Sequence, residues 1–343
     1  MRIIFGSIVV FLLFTSCKEE NTIQQSKSLE GAPVESIKIY SGGNVNLAVI
    51  DTFLVIQKSE EPFIHIYNTN THQKLVEFGK KGRGPDEFLG PSLMKQISYD
   101  SSNNSPLIKI FDYKRQEINT INIFHAIENK VIKTQEALDS NGNFLLYFFY
   151  KDEDFYVATP ENKGRFVIYN YNTSEINITP YLPETDFDIP KLDLSAVYRS
   201  TSFVNIDKEL IASASYFFGQ LDFFDLKGNH IRSTTFEPSN KFENELKAGS
   251  DSWKNIQLGI DDLDAKGEYI FGLNFNNSIS TYLTPKRTNN PKIQVFNWEG
   301  LAIKEYTLDN RLITAFAIDT NHDRIYAYSP NEEDHNIVIY KMK

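Results

Sequence analysis

One short pattern recurs along this chain of 343 residues and constrains its fold more than any other feature. The clearest copy lies in residues 63–91, where two runs rich in β-branched and aromatic residues flank a polar turn and a glycine-rich step follows. Such runs separated by turn residues predict β-hairpins. Similar runs, most of which end in an aromatic residue followed by Asn or Asp, start at Phe63, Leu107, Arg165, Leu221, Lys292 and Asn336.

The surroundings of each copy predict a four-stranded unit. A turn and a second extended run follow most copies, and a more apolar pair of runs precedes most of them. Each copy is therefore expected to be the third strand of its unit, joined by a hairpin to the fourth. Six such units account for residues 33–343, which predicts an all-β, six-bladed β-propeller. The spacing between copies varies, whereas a regular solenoid would keep a tighter period and would need caps.

The two ends of the domain predict how the ring closes. The last copy, residues 336–343, supplies a third strand, and no fourth run follows it. Residues 34–40, VESIKIY, form an extra alternating run ahead of the first unit. We expect this N-terminal strand to pair outside the C-terminal one, complete the sixth blade and leave no open sheet edge.

The first residues predict an export signal. A basic start is followed by an apolar run over residues 3–14, which is shorter than the roughly 20 residues of a spanning helix. Its end, Ser16-Cys17, resembles a bacterial lipobox, with Phe14 where Leu is most usual. This predicts a signal peptide over residues 1–16 and a lipid on Cys17, which would hold the protein on the outer membrane. The alternative is an ordinary secretory signal with an incidental cysteine.

The segment that follows predicts a tether. Residues 17–32 are rich in Gln, Ser and Lys and are expected to be flexible. Residues 18–20, Lys-Glu-Glu, resemble the charged tag of surface-exposed lipoproteins of Bacteroidota. The alternative is a solvated spacer on a protein that faces the periplasm.

Charge and cysteine content exclude several classes of function. The formal net charge of −10 and the pI near 5.2 disfavour nucleic acid as a partner, because the long-range field repels phosphate. A single cysteine allows no intramolecular disulfide and no cysteine-based structural zinc site.

The glycine-rich step carries a family resemblance. Residues 79–88, GKKGRGPDEF, contain Gly82, Gly84, Pro85 and Phe88, and Pro91 follows shortly. This step resembles the crossing between blades in NHL-type propellers, and its form in a lipoprotein of this length resembles the six-bladed TolB-like propellers of Bacteroidota. The resemblance implies a structural motif, with Phe88 between blades, and a protein that binds partners or nutrients. A phosphate-binding loop is the alternative, but no helix follows, as such a loop requires.

Two long segments are candidate binding loops, because long loops in compact domains are often functional. Residues 237–258 contain the best helical segment of the chain, and residues 277–291 form a polar loop within the fifth unit. We expect a polar and aromatic binding face near these loops, formed by Tyr198, Arg199, Trp253, Lys286 and Arg287.

Metal-binding signals are weak. Asp261 and Asp262 lie in or beside an innermost strand and could approach the central channel, where propeller enzymes hold a metal. Residues 319–323 start like a calcium loop, but Arg324 replaces the required glycine and no final glutamate follows, so we interpret them as a hairpin turn. The six histidines show no pair at metal-ligand spacing, and no catalytic triad signature is present. We therefore predict no cofactor, with calcium as the ion to test.

These observations leave two main hypotheses for function. The first is a lipid-anchored, non-enzymatic propeller that binds a protein or glycan on one face of the ring. The second is a hydrolase or lyase with a metal held by acidic and amide side chains in the central channel. A purely architectural envelope protein would differ from the first only in lacking a selective pocket.

Overall fold

The structure is a computed structural model, and it describes residues 23–84, 86–128, 133–137, 145–152, 155–160, 164–170, 173, 175–184, 197–236, 255–278, 280, 290–332 and 334–343. The described residues are almost entirely β-strand and turn. They also include the helix α1 (Ile123–Ile127), which is capped by the side chain of Asn122. Within these ranges no helix is long and apolar enough to cross a bilayer.

The described residues of the N-terminal half form two short strands, three sheets and a ribbon. The first described strands are β1 (Gln25–Leu29) and β2 (Ala32–Pro33). The first sheet comprises β3 (Asn46–Ile50), β4 (Phe53–Gln57), β5 (Ile64–Asn68) and β6 (Lys74–Phe78), and a ribbon of β7 (Lys80–Lys81) and β8 (Glu87–Phe88) follows. The second sheet comprises β9 (Pro91–Tyr99), β10 (Pro106–Asp112), β11 (Glu117–Asn122) and β12 (Lys133–Ala137). The third comprises β13 (Leu145–Asp152), β14 (Phe155–Pro160), β15 (Phe166–Asn170) and β16 (Ile176–Thr179).

The C-terminal half contributes three further sheets. The fourth comprises β17 (Ser200–Asn205), β18 (Leu210–Ser215), β19 (Gln220–Asp225) and β20 (His230–Thr235). The fifth comprises β21 (Ile260–Lys266), β22 (Tyr269–Asn274), β23 (Lys292–Asn297) and β24 (Ala302–Leu308), with β1 on its outer edge. The sixth comprises β25 (Ala315–Asp319), β26 (Arg324–Tyr328) and β27 (Ile337–Lys341), with β2 as its fourth strand.

The sheets are arranged as an all-β propeller. The first strand of each sheet, here called the innermost strand, contacts the innermost strand of the next sheet, and β25 contacts β3. Hydrophobic clusters fill the gaps between neighbouring sheets: one joins the first and second sheets, and another joins the sixth and first. Burial of apolar side chains between sheets is the main stabilising contribution to such a packing.

The repeat has a different position in the second sheet. We expected each copy of the pattern to be a third strand, and β5, β15, β19, β23 and β27 are third strands from the channel. The copy in β10 is the second strand, because a single strand, β9, precedes it and β12 completes the sheet on the outside. The nine residues of β9 replace the usual hairpin before the repeat.

The N-terminal strands differ from the expected tether and closing strand. Gln25–Leu29 lies within the predicted flexible segment, yet it pairs in parallel with β24, and the side chain of Leu29 is buried. Only Leu29 is apolar among these residues, and an edge strand held by backbone hydrogen bonds needs no alternating pattern. The segment predicted as a tether thus contains a paired strand in its second half.

The pairing with the C-terminal strand also involves earlier residues than predicted. Ala32 and Pro33 pair with β27, whereas residues 34–40 form no strand. The reason lies in Asn336: its side-chain amide accepts from Ile39 N and donates to Ile39 O, which replaces a strand ladder at that point. Ile39 itself is buried, so the apolar alternation of this segment reflects packing and not strand pairing.

The glycine-rich step lies between the first and second sheets. Phe88 is fully buried and packs edge-on against Phe63, with ring centroids 6.4 Å apart. Gly79 has a φ of 89°, and a Cβ there would lie 3.1 Å from the Phe88 ring, so a side chain would be strained in both respects. Gly82 N–H donates to Phe88 O, and Gly84 N–H donates to the Glu87 carboxylate.

Two prolines complete the predicted motif. Pro91 begins β9, whereas Pro85 lies outside the described residues.

A buried ion pair joins the third and fourth sheets. Arg165, next to β15, and Asp222, in β19, have no exposed side-chain surface, and Arg165 Nη2 lies 2.6 Å from Asp222 Oδ2. The same nitrogen donates to Ser215 Oγ at 2.9 Å. The other carboxylate oxygen of Asp222 accepts from Ser233 Oγ at 2.6 Å. Burial lowers the pKa of Arg165, and the carboxylate of Asp222 opposes this effect.

Candidate binding pocket

A cavity of about 540 Å³ lies at the face of the propeller where the innermost strands begin. Its walls include the first residues of β9, β17 and β21 and the segment that leads into β3. The returning second strands end at the same face, so Tyr216 and Tyr328 also line it. The volume falls within the usual range of small-ligand pockets, roughly 300–1,000 Å³.

Irregularities in two innermost strands bring charged residues to this cavity. In β21 the register with β22 shifts between Ile260 and Asp262, which leaves Asp261 as an extra residue. In β9, residues 95–97 lie opposite the single residue Ile108. Bulges of this kind change the direction of side chains and are common beside functional sites. They allow the adjacent residues Asp261 and Asp262 to line the same cavity, opposite Lys95.

Lys95 and Asp262 form the inner charged pair of the pocket. Lys95 Nζ lies 2.5 Å from Asp262 Oδ2 and donates to Phe316 O at 2.7 Å. The ammonium group also lies 4.6 Å from the centroid of the Phe316 ring. Asp262 Oδ2 accepts from Phe316 N at 3.3 Å. These contacts connect the innermost strands of the second, fifth and sixth sheets across the channel.

Arg199 and Asp261 form a second, looser pair nearer to solvent. Arg199 Nη2 lies 3.4 Å from Asp261 Oδ1, and the side chains are 48% and 18% exposed. The guanidinium also lies 4.7 Å from the centroid of the Tyr216 ring, which favours a cation–π contact. Arg199 and Tyr216 are adjacent because the hydrogen bond from Tyr216 N to Arg199 O extends the β17–β18 pairing.

A third charged pair lies beyond the pocket, further along the channel. Asp264 is almost fully buried and accepts from Ile318 N at 2.8 Å. Lys266 Nζ lies 3.7 Å from Asp264 Oδ1 and donates to Val49 O at 2.9 Å. The channel therefore contains polar contacts beyond the Lys95–Asp262 pair, which lies at the inner end of the pocket.

The two pocket carboxyl groups have raised pKa values. Burial raises the pKa of Asp261 to about 6, although the nearby positive charge of Arg199 opposes the shift. Burial also raises the pKa of Asp262, against the effect of the Lys95 ammonium. Burial disfavours a charged carboxylate unless hydrogen bonds or cations compensate for the lost water.

We expect the substitution Asp261→Asn to stabilise the protein at neutral pH. The folded protein retains a proton on Asp261 between the ordinary pKa of 3.8 and about 6, whereas the unfolded chain has lost it. The free energy of unfolding therefore falls as pH rises through this interval and stays lower above it. At neutral pH, the free energies of unfolding of wild type and Asp261→Asn should therefore differ by at most about 3 kcal/mol. Urea unfolding of both proteins at several pH values would measure it.

The control for this prediction is Glu268→Gln, which removes an exposed partner of Lys208. This change should leave the slope of stability between pH 4 and 6 unaltered. A parallel slope in wild type and Asp261→Asn would contradict the assignment of the raised pKa to Asp261.

The structure places the sequence-predicted site residues in different locations. Arg199, Asp261 and Asp262 all line the cavity, whereas Tyr198 stacks on Phe218 with ring centroids 5.2 Å apart. Trp253, Lys286, Arg287 and the lipidation candidate Cys17 lie outside the described residues.

One charged residue of the cavity, Lys95, was not singled out from the sequence. Lys95 could have been identified, because a lone lysine in a strand predicted to be innermost must approach the channel or a neighbouring sheet.

The metal candidates have other partners. Among the described residues, no group of three or more His, Cys, Asp or Glu side chains could hold a metal ion. Asp261 and Asp262 are paired with Arg199 and Lys95. In the turn between β25 and β26, Asp319 lies 2.9 Å from Arg324 Nε and 2.8 Å from His322 Nδ1.

Comparison with known structures shows the fold of the chain. It is similar to a crystal structure of a duf4221 family member from Bacteroides vulgatus, with 13% identity, a TM-score of 0.58 and coverage of 91% of this chain and 95% of that one. It is also similar to a protein of Bacteroides fragilis described as exported, with 12% identity, a TM-score of 0.51 and coverage of 92% and 98%. At these identities the likeness concerns the fold alone.

Sequence comparison shows the family. No curated protein matches the chain. The family model described as TolB-like 6-blade propeller-like matches residues 35–321, which is most of the chain and includes the glycine-rich step, the bulged strands and all four charged residues of the pocket. The chain therefore belongs to the TolB-like 6-blade propeller-like family.

Proposed function

We propose that this protein is a lipid-anchored propeller of the cell envelope that binds a protein or glycan partner on the face of the ring where the pocket opens, and that it catalyses no reaction. The observation that carries this proposal is the charge pairing in the pocket. Each of the two carboxylates already has a cationic partner: Lys95 lies 2.5 Å from Asp262, and Arg199 lies 3.4 Å from Asp261. The pocket thus presents hydrogen-bonding groups and paired charges, which suit recognition of a polar ligand.

We infer that the propeller has six blades and that its N-terminal strands close the ring. Six sheets of four or five strands support the number of blades, as does the family description. The contact of β25 with β3 and the pairing of Ala32 and Pro33 with β27 support closure. In this arrangement both ends of the domain contribute to one blade, so that no long sheet edge is left open.

Lipidation of Cys17 and a place on the outer membrane remain part of this proposal. The supporting features are the basic start, the apolar run over residues 3–14 and the position of the single cysteine directly after Ser16. The similarity to a Bacteroides fragilis protein that is described as exported is consistent with a location outside the cytoplasm. The charged residues 18–20 favour the cell surface over the periplasm.

The alternative function is a metal-dependent hydrolase or lyase with its site in the channel. Asp261 and Asp262 are the oxygen ligands that such a site would use. The position of the Lys95 ammonium argues against it. Its nitrogen lies within 2.7 Å of both Asp262 Oδ2 and Phe316 O, where it already supplies the positive charge that a divalent ion would bring.

Metal analysis of the purified protein, combined with thermal melts with and without a chelator, separates the two functions. We expect no stoichiometric calcium or zinc and the same melting temperature in both melts. A metal bound only by the native state must stabilise it, so its removal would lower the melting temperature. Stoichiometric metal with such a decrease would overturn the binding proposal in favour of the enzyme. Melts in sodium chloride at matched ionic strength serve as the control for a nonspecific salt effect.

A further inference from the structure

The outer charged pair of the pocket, Arg199 and Asp261, is looser than the inner pair, Lys95 and Asp262, and this difference matters for ligand binding. Arg199 Nη2 and Asp261 Oδ1 are 3.4 Å apart, whereas Lys95 and Asp262 are 2.5 Å apart. Arg199 is about half exposed, and Asp261 is mostly buried. A loose pair at a cavity wall exchanges partners at low cost, because each charge gains little from the other.

Both members of this pair are held in place by other contacts. Arg199 lies over the Tyr216 ring at 4.7 Å, and its backbone oxygen accepts from Tyr216 N at 2.9 Å. Asp261 is the extra residue of the β21 bulge, and its neighbour Asp262 is fixed by Lys95. The two opposite charges therefore lie side by side on the cavity wall, where one ligand can contact both.

A ligand that replaces both partners must carry two adjacent charges of opposite sign. A neutral saccharide would supply hydroxyl groups and no charge, an anion alone would meet Asp261, and a cation alone would meet Arg199. The ammonium and carboxylate groups of an α-amino acid are attached to one carbon, which matches the short distance between the two side chains. In contrast, the amino and carboxyl termini of a longer peptide lie too far apart to contact Asp261 and Arg199 at the same time.

We propose that the pocket binds a free α-amino acid, with the ligand ammonium at Asp261 and the ligand carboxylate at Arg199. This inference rests on the proposed non-enzymatic binding function, and it assigns a small ligand to the pocket in addition to the protein or glycan partner of the ring face. The guanidinium can bond a carboxylate through two parallel N–H groups, which is the strongest geometry available to such a pair. The ligand also leaves the charge balance of the pocket unchanged, because it is itself neutral overall.

Neighbouring polar groups indicate which kind of side chain the ligand carries. Ser200 lines the cavity next to Arg199, is only 6% exposed, and its buried hydroxyl has no hydrogen-bond partner among the described residues. A buried hydroxyl without a partner costs free energy, and a ligand group that bonds it removes that cost. Asn46, Thr201 and Thr314 add further polar groups to the walls. These residues favour an amino acid with a polar side chain.

The pH dependence of binding follows from the groups around Asp261. Arg199, Asp262 and Lys95 are the charged groups that act on it, and its pKa is raised to about 6. The ligand ammonium requires the ionised carboxylate. Affinity is therefore constant above this pH and falls as pH decreases through it.

The test begins with thermal melts of the intact protein at neutral pH in the presence of each of the standard free L-amino acids at millimolar concentration. Ligands that raise the melting temperature are then titrated by calorimetry. We expect one or a few polar amino acids to bind, and their N-acetyl and amide derivatives to bind at least tenfold more weakly. The variants Asp261→Asn and Arg199→Gln should each weaken binding at least tenfold. Lys208→Gln, which removes a distant exposed ion pair, is the matched control and should bind as wild type does.

Three results would overturn this inference. One is the absence of any stabilising amino acid at neutral pH, and another is equal binding of the blocked derivatives. The third is unchanged affinity in Asp261→Asn, a variant that we expect to remain folded. Binding of a saccharide or protein to the pocket in place of an amino acid would reject this ligand and leave the proposed function intact, whereas stoichiometric metal would reject the proposed function itself.

Discussion

The substitution Asp222→Asn should lower the free energy of unfolding by about 3–5 kcal/mol, because it leaves the buried guanidinium of Arg165 without a counter-charge. Both side chains are fully buried, and Asp222 Oδ2 lies 2.6 Å from Arg165 Nη2. Two further nitrogens of Arg165, Nε and Nη1, have no hydrogen-bond partner among the described residues. The Asp222 carboxylate is therefore the main group that offsets the cost of burying the Arg165 charge. Urea unfolding at neutral pH, monitored by tryptophan fluorescence and circular dichroism, measures the change.

Two comparisons make this prediction specific. Glu268→Gln removes one member of an exposed ion pair and should change stability by less than about 1 kcal/mol. The double variant Arg165→Met/Asp222→Leu removes both buried charges and should recover much of the stability lost in Asp222→Asn. A loss below about 1 kcal/mol in Asp222→Asn would show that the pair is not required to join the third and fourth sheets.

The second large effect is expected from removal of the N-terminal strands. A chain that begins at Val34 lacks β1 and β2 and should melt at a far lower temperature than a chain that begins at Gln25. The shorter chain exposes the outer edges of the fifth and sixth sheets, and it loses the buried side chain of Leu29. Truncation of a buried leucine alone costs about 2–5 kcal/mol.

The pair of chains is matched because both lack residues 1–24 and differ only in the strands under test. The substitution Leu29→Ala in the longer chain separates the loss of the side chain from the loss of backbone pairing. Equal melting temperatures for the two chains would contradict a closing function for β1 and β2.

The sequence predicted strands well and their positions within sheets less well. The repeated pattern identified β5, β15, β19, β23 and β27 as third strands, because burial on both faces of a strand produces a recognisable apolar run. The same run in β10 is a second strand. Pattern alone records that a strand is buried on both faces, and it does not record how many strands lie on each side of it.

The N-terminal strand β1 illustrates a different limit. Four of its five residues are polar, so composition indicated a tether. Its pairing with β24 uses backbone groups that every residue carries. The place where β1 pairs is an open sheet edge, which is formed by residues almost 280 positions later in the chain. Local composition contains no information about such an edge.

The pocket was partly predictable for a related reason. Position in an innermost strand pointed to Asp261 and Asp262, and loop position pointed to Arg199. The pairing of these residues could not be inferred, because the contact between Lys95 and Asp262 joins two sheets across the channel. That contact depends on bulges in β9 and β21, which no residue type in those strands requires.

The direction of β1 also determines how an anchored molecule would face the membrane. The innermost strands begin at the pocket, so β21 and β23 end at the opposite face of the propeller, and β24 begins there. Because β1 is parallel to β24 and Gln25 lies beside Lys304, the chain enters the propeller from that opposite face. The eight peptide steps from Cys17 to Gln25 can span at most about 29 Å. A lipid on Cys17 would therefore hold the far face toward the bilayer and turn the mouth of the pocket outward, where solutes can enter without passing between protein and membrane.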